Sequence, residues 1–309
     1  MKRESSEHLA DWQPPKRGMR SVMAHRIEET RIRPMEAGCW VVEEQALRVE
    51  VQDVGHYTLM CTPTGSADAV GYLAQDGLLG GGGEPGALAL AAGFLLTEGL
   101  VNSLRDVASM AICPDNAEVV TVHLFEPGRA HSTRRSGLIT SSCGMCANVD
   151  GMVDLAASGL CVGNRLALAA AQVHLHMQAM RTRQAIFSHT GGTHAAALFD
   201  AHGTLLALAE DLGRHNALDK VIGQCLLHGL PTVGCCVLLS GRVSLEMITK
   251  AARAGIEMVA AVSAPSSMAI DAAHQVGMTL CGFVRDQRLT AFSHPQRLVS
   301  SDFLNCKEF

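Results

Sequence analysis

Cys143 and Cys146 flank Gly144 and Met145 in the stretch Thr140-Ser-Ser-Cys-Gly-Met-Cys-Ala147. Two thiols at this spacing can hold a metal, exchange a disulfide or carry sulfur as a persulfide. Gly144 permits a tight backbone between them, and the serines ahead suit a loop or helix start, where free N–H groups favour a thiolate. Arg134 and Arg135 are near enough in sequence to add positive charge. A zinc half-site needs further ligands, yet the chain has no second C-x-x-C, and His189 and His194 lack finger spacing. A thioredoxin-type pair belongs at a helix start early in a small βαβ domain, whereas this pair follows several strand candidates. A sulfur carrier needs one accessible, low-pKa cysteine and tolerates a flexible loop. The reactive-cysteine reading is preferred, with the metal and dithiol readings left open.

Zinc-dependent deamination also uses a C-x-x-C within an α/β fold, but it requires H-x-E and a proline before the first cysteine. None of the 14 histidines begins H-x-E, and Ser142 precedes Cys143. That chemistry is set aside.

Other polar groups gather where strands are expected to end. Ser240-Gly-Arg242 and Ser263-Ala-Pro265 each follow an apolar strand candidate, the position where open α/β sheets bind ligands and helix N-termini receive anions. Thr190-Gly-Gly-Thr-His194 adds Thr193 and His194 as hydrogen-bonding side chains. A phosphate-bearing or nucleotide-like ligand fits such loops; plain helix capping by Ser240 and Ser263 is the alternative. In Glu210-Asp-Leu-Gly-Arg-His-Asn-Ala-Leu-Asp-Lys220, Asp211, His215 and Asp219 are spaced four apart and would share a helix face if the helix reached back to Asp211. Asp211 and His215 are therefore candidate site residues.

The elements that must position these groups follow from periodicity. The 309 residues are 48% hydrophobic and 18% charged, enough for a sizeable core, and length alone suggests two domains or one large one. The net charge of −5 gives no general attraction to nucleic acid. No apolar run reaches the roughly 18 residues of a membrane span, and the polar start resembles no secretory signal. Eleven scattered cysteines fit a reducing compartment, so a cytoplasmic protein with no membrane or nucleic-acid partner is expected.

Residues 1–36 read as a disordered tail. Residues 37–164 read as an N-terminal α+β domain ending in the C-x-x-C loop, with strands at Trp40–Val42, Ala46–Val51 and His56–Cys61, a helix over Leu88–Glu98 closed by Gly99, and a hairpin over Val107–Phe125. Residues 165–300 read as an α/β domain, with a helix over Arg165–Met180, a hairpin from His194, a helix over Asn216–Leu227, two strand–loop–helix units starting at Val233 and Met258, and a last hairpin turning at Arg285-Asp286-Gln287. Residues 301–309 form a tail. Ala69–Leu79 aligns with Ala91–Val101 and reads as a local duplication, with residues 66–87 a removable insertion.

In order along the chain, Thr62-Pro63, Gly93-Phe-Leu95 with Glu98-Gly99, Ser142-Cys-Gly-Met-Cys146, Gly192-Thr-His-Ala-Ala-Ala197, Glu210–Lys220, Ser240-Gly-Arg-Val-Ser-Leu-Glu-Met247, Ser263-Ala-Pro265, Thr279-Leu-Cys-Gly-Phe283 and His294-Pro-Gln-Arg297 resemble the formate dehydrogenase accessory sulfurtransferase family. The resemblance implies a small α+β domain followed by a cytidine-deaminase-like α/β domain, as a homodimer. It also implies a sulfurtransferase that works through a cysteine persulfide. Sulfur would pass from a cysteine desulfurase to the molybdenum (or tungsten) bis-guanine-dinucleotide cofactor, which binds as a ligand before insertion into formate dehydrogenase; no structural metal is implied. The persulfide maps to Cys143, with Cys146 beside it, and the cofactor segment maps to Phe283-Val284-Arg285-Asp286-Gln287-Arg288. Phe283 suits a base, and Arg285 and Arg288 suit phosphate. The family usually has glycine where this chain has Ala147, and Gly65–Gly86 is longer than the family's usual spacing. The competing functions are a non-catalytic cofactor-binding chaperone and a dithiol oxidoreductase.

Overall fold

The computed structural model describes residues 17–28, 31–35, 38–65, 71–79, 86–130, 137–139 (backbone) and 159–299. Cys143, Cys146, Ala147, Arg134 and Arg135 lie outside the described residues, as do 1–16 and 300–309.

The described part of the 1–36 stretch is built of strands, which corrects its reading as a tail. β1 (Met19–Val22) pairs antiparallel with β4 (Cys39–Val42), and between them β2 (His25–Glu28) and β3 (Arg31–Pro34) pair with each other. Four-residue strands rich in arginine carry too short an apolar alternation to be legible. Pairing is what makes them strands.

A seven-stranded mixed sheet follows. Its members are β5 (Gln45–Val51), β6 (Gly55–Cys61), β7 (Gly71–Leu73), β8 (Gly77–Leu79), β9 (Val107–Cys113), β10 (Asn116–Leu124) and β11 (Gly137–Ile139), in the order β11-β6-β5-β10-β9-β7-β8. Its α-helix is α1 (Gly86–Thr97), in which nearly every residue is buried. A helix apolar all round must be covered on all sides. The sheet covers one side and α4 of the next layer the other.

The suspected duplication is not structural. Residues 71–79 form the β7–β8 hairpin on the sheet edge, paired to β9, whereas the aligned 91–101 contains most of α1. Burial decides between the two outcomes: the second copy is enclosed on all sides, while the first lies on an exposed edge. Tyr72 and Leu78 pack against the main core, and Gly86 and Ala87 begin α1, so the described part of residues 66–87 is no loose insertion.

The second sheet has six strands in the order β14-β13-β15-β16-β17-β18. It is reached through β12 (Leu168–Ala169), α2 (Ala170–Arg181) and α3 (Ala185–Thr190), the last not foreseen. β13 (His194–Phe199) and β14 (Leu205–Asp211) form the expected hairpin, then α4 (Arg214–Leu227), β15 (Cys236–Leu239), α5 (Leu245–Arg253), β16 (Met258–Ala261), α6 (Ser267–Val276), β17 (Thr279–Arg285) and β18 (Arg288–Ser293). β19 (Leu298–Val299) returns to β12. The strands β15, β16 and β17 are parallel, with antiparallel strands outside them. The architecture is α/β, as expected.

The two layers share one core, because α1 crosses α4 at backbone contact. A Cβ on Gly93 would run into the carbonyl of Asp219, and one on Gly223 into the carbonyl of Ala89. Glycine at both crossing points is therefore a packing requirement. Buried charges fasten the same junction. Asp211 is fully buried, pairs with Lys220 at 2.7 Å and accepts from the backbone N–H of Thr62 and Gly213 and from Asn216 Nδ2. Lys220 in turn donates to Thr62 O at 2.8 Å and Thr64 Oγ1 at 3.0 Å. Lys250 lies between Asp219 at 2.8 Å and Glu98 at 2.9 Å, and donates to Thr97 Oγ1. Arg297, in the His-Pro-Gln-Arg motif, is 3% exposed and donates to Gly163 O and Thr279 Oγ1, so it is a core clasp.

Candidate functional site

The six-stranded sheet brings four loops to one edge. β13 begins there at His194, β14 ends there at Asp211, β15 runs into Ser240-Gly241-Arg242, and β16 runs into Ser263-Ala264-Pro265. The turn between β17 and β18 emerges at the same end, because β17 is parallel to β16. Backbone bonds lock the loops together. Ser240 N donates to Ala195 O, Val243 N to Ala264 O, and Phe283 N to Ser263 O. Ser240 Oγ accepts from Ala195 N at 2.8 Å and lies 3.5 Å from His194 Nδ1. Gly241 leaves room for His194, whose ring a Cβ there would meet at 3.1 Å. Ser240, Ser263 and His194 are thus held in one rigid edge.

Neither Ser240 nor Ser263 caps a helix. Ser244 and Ser266 hold those positions, and Ser266 Oγ accepts from Ala269 N. The plain-capping alternative fails for the first two serines, which leaves their loops available for other work.

The charge of this edge is positive and incompletely answered. Arg214 opens α4, adding side-chain charge to a helix start that already favours anions. Its Nε is buried without a hydrogen-bond partner among the described residues. Burial and then the neighbouring Arg242 push its pKa down, while Glu246 pushes it up. Arg242 itself is exposed. The His194 pKa is held below its ordinary value, first by burial and then by Arg214. His194 is therefore a neutral imidazole at pH 7. His215 Nε2 lies 3.2 Å from Glu246 Oε2. Neither Arg214 nor Glu246 was a sequence candidate. A signal existed for both: Arg214 lies within the polar run Glu210–Lys220, and Glu246 lies within the Ser240–Met247 motif.

The β17–β18 turn is strained in a way that shapes a surface. Phe283, Asp286 and Gln287 all have positive φ, at 54°, 52° and 57°. For a bulky residue such as Phe283 this backbone is unusual and persists only where the surroundings enforce it. Gly282 beneath is crowded by Pro265, Phe292 and Ser263 O, so the ring of Phe283 turns outward, 39% exposed and tilted against Phe292. Arg285 and Arg288 face each other across the turn, exposed together with Asp286 and Gln287.

Three sequence candidates point the other way. Thr193 is buried and donates to Glu210 Oε1 at 2.8 Å. Val284 is 1% exposed within the second core cluster. Asp211 ends β14 and does not join α4, so the face shared with His215 and Asp219 does not exist; its oxygens are committed to Lys220 and the backbone. In each case the side chain already has its partners inside. The chain approaches Cys143 along β11, whose Ile139 pairs with Leu59 of β6; the two thiols themselves lie outside the described residues.

The FdhD/NarQ family model matches residues 84–299. A relative from Bordetella bronchiseptica, named sulfur carrier protein FdhD, is 35% identical over 263 residues, covering 84% of this chain and 87% of its own. Proteins of the same name from Thermoplasma acidophilum and Mycolicibacterium paratuberculosis are 39% and 40% identical, each over 68% of this chain and over 75% and 81% of their own. The crystal structure of a candidate formate dehydrogenase accessory protein from Desulfotalea psychrophila superposes with a TM-score of 0.68 over 91% of this chain and 99% of its own, at 20% identity. That likeness shows the fold alone, whereas the family model spans the strand-end loops and the relatives exceed 30% identity over two thirds of the chain or more: the chain belongs to the FdhD/NarQ family.

Proposed function

We propose that the protein is a sulfur carrier for formate dehydrogenase maturation, taking sulfur from a cysteine desulfurase and delivering it to the molybdenum (or tungsten) bis-guanine-dinucleotide cofactor. Relatives named sulfur carrier protein FdhD support the carrier role. The observation that carries the acceptor side is the cationic strand edge. Arg214 keeps a buried Nε without a partner among the described residues, Arg242 stands exposed beside it, and a second arginine pair, Arg285 and Arg288, flanks a turn that presents Phe283. A bis-guanine dinucleotide has two diphosphates and two flat bases. Arginine forks suit the former, and the outward Phe283 ring suits the latter. Ser240, Ser263 and His194 line the same edge as neutral hydrogen-bonding groups.

On the donor side, the Cys143 thiolate attacks the outer sulfur of the desulfurase persulfide. A new S–S bond forms on Cys143, and the donor cysteine leaves as a thiolate. On delivery, the Cys146 thiolate attacks the Cys143 sulfur, the outer sulfur leaves as sulfide for the metal centre, and a dithiol reductant reopens the resulting disulfide. A free thiol can replace Cys146 in that step. The carrier works as a cytoplasmic homodimer.

Incubation with a desulfurase and cysteine, followed by intact-mass measurement, tests the reading. A gain of one sulfur atom, lost in Cys143→Ala, is expected. Loss of two hydrogens without that gain would assign a dithiol oxidoreductase, and no change would assign a cofactor-binding chaperone. Cys143→Ala should abolish formate dehydrogenase activity in cells without unfolding the protein, while Cys146→Ala should reduce it less. On the acceptor side, Arg285→Ala and Arg288→Ala should each weaken GDP binding by about tenfold or more, with persulfide loading unchanged.

A further inference from the structure

His194 is the imidazole that the strand edge holds against its arginines, and histidine is the side chain whose charge changes most readily near neutral pH. It opens β13, half-buried, and a Cβ on Gly241 would lie 3.1 Å from its ring and 3.7 Å from Arg214 Cβ. Three neighbouring elements bring charge to the ring. α4 begins with Arg214, the loop after β15 carries Arg242, and β14 ends at Asp211. Burial and the two arginines hold the imidazole neutral, while Asp211 pulls the other way. Asp211 pairs with Lys220 at 2.7 Å, which offsets that pull. Further out, Glu246 of α5 acts on Arg214 and lies 3.2 Å from His215 Nε2.

An anionic ligand reverses the balance. A diphosphate set against Arg214 and Arg242 cancels the field that opposes a proton on His194. Ser240 is built to serve both forms of the ring. Its Oγ accepts from Ala195 N at 2.8 Å and lies 3.5 Å from His194 Nδ1. A hydroxyl keeps one proton to give and a second lone pair to receive with. It can therefore donate to Nδ1 of the neutral ring and accept from Nδ1–H of the imidazolium, a bond that charge assistance shortens. The backbone bond from Ser240 N to Ala195 O fixes the loop in either case, so only the hydroxyl need turn.

We propose that His194 takes one proton from solvent when an anionic diphosphate occupies the strand edge, so that the edge binds ligand and proton together and gives both up as the pH rises. The inference rests on the proposed acceptor-side reading and adds that His194, with Ser240, balances part of the ligand's charge. The sign follows from linkage. The ligand-bound protein holds this proton more tightly than the free protein, so affinity is greatest below the free His194 pKa and falls as pH rises through the bound one.

The test uses the full chain and diguanosine diphosphate, whose diphosphate bridges two guanosines and carries no proton that titrates near neutrality. Any proton exchanged then belongs to the protein. Calorimetry in two buffers of different ionisation enthalpy should show net proton uptake, and affinity should fall by about tenfold from about pH 6 to about pH 8. The NMR titration of His194, assigned by its loss in His194→Gln, should move upward when the parent is saturated with ligand. Equal affinity at both pH values with an unmoved His194 titration would overturn the inference and leave the acceptor-side reading standing. Proton uptake that persists in folded His194→Gln would overturn it in the same way. Absence of binding at either pH would remove both.

Discussion

Charges drawn from the same stretch, Glu210–Lys220, meet two fates. Asp211, Asp219 and Lys220 turn into the junction, where every charged atom has a partner at hydrogen-bond distance. Arg214 turns to the strand edge, where its Nε has none among the described residues and Arg242 adds a like charge. The residue types are similar and the sequence separation is a few positions. What differs is how fully each charge is hydrogen-bonded within the protein. A buried charge must be paired to persist, so completed pairs mark architecture. On the proposed reading, the incomplete one at the strand edge, held at a helix start, marks a place for an anionic ligand.

Breaking the junction should cost most. Lys250→Met leaves Asp219 and Glu98 without their shared ammonium and should lower unfolding free energy by about 3–5 kcal/mol, read by denaturant melts. A loss below about 1 kcal/mol would show the pair to be no more than a surface bridge. Gly93→Ala should follow, at about 3 kcal/mol. The new methyl meets backbone at Asp219, so α1 and α4 must separate, and a mobile rotamer cannot relieve the clash.

The pairing at the junction also has a pH signature. Desolvation raises the Asp219 carboxyl from 3.8 to about 6, with Lys250 and Thr97 pulling it back and Glu98 adding to the rise. The folded state then binds this proton more tightly than the unfolded chain. Stability relative to Asp219→Asn should therefore fall as pH rises from about 4 to about 6 and level off above, by on the order of 2 kcal/mol. A parent that gains on the variant over that range would reverse the assignment.

Charge removal at the strand edge should leave stability alone and change binding. Arg214→Ala and Arg242→Ala should each weaken GDP by about tenfold, with the melting temperature shifted little. If either variant instead loses stability while its GDP affinity is retained, the edge belongs with the junction and the contrast collapses. The smallest effect expected is on His194. Arg214 supplies part of its depressed pKa after burial, so Arg214→Ala should move its NMR titration upward toward the ordinary value.

Periodicity alone located most regular elements, since alternation and apolar runs encode which face is buried before any partner is known. The β5–β6 and β9–β10 pairs, α1, α4 and the parallel units at β15 and β16 were all legible. The local signal failed where burial, not pattern, chose the conformation. Ala69–Leu79 and Ala91–Val101 read alike, yet one is an edge hairpin and the other enters a helix enclosed on all sides. The arginine-rich strands before Gly38 gave no readable period at all.

For the site, residue types and motif order singled out loops that the fold brings together: His194, Ser240, Arg242, Ser263 and the Phe283–Arg288 turn gather at one edge. Only the tertiary structure decided which side chains of those motifs face outward. Thr193, Val284 and Asp211 look as eligible as their neighbours in the sequence, but each finds its partner inside. Arg214 reads in the sequence as one more charge in a polar run; its Nε, without a partner among the described residues, sets it apart. A sequence displays donors and charges one at a time. Whether each is already satisfied depends on groups as distant along the chain as Thr62 from Asp211 or Glu98 from Lys250, which only the packed fold brings together.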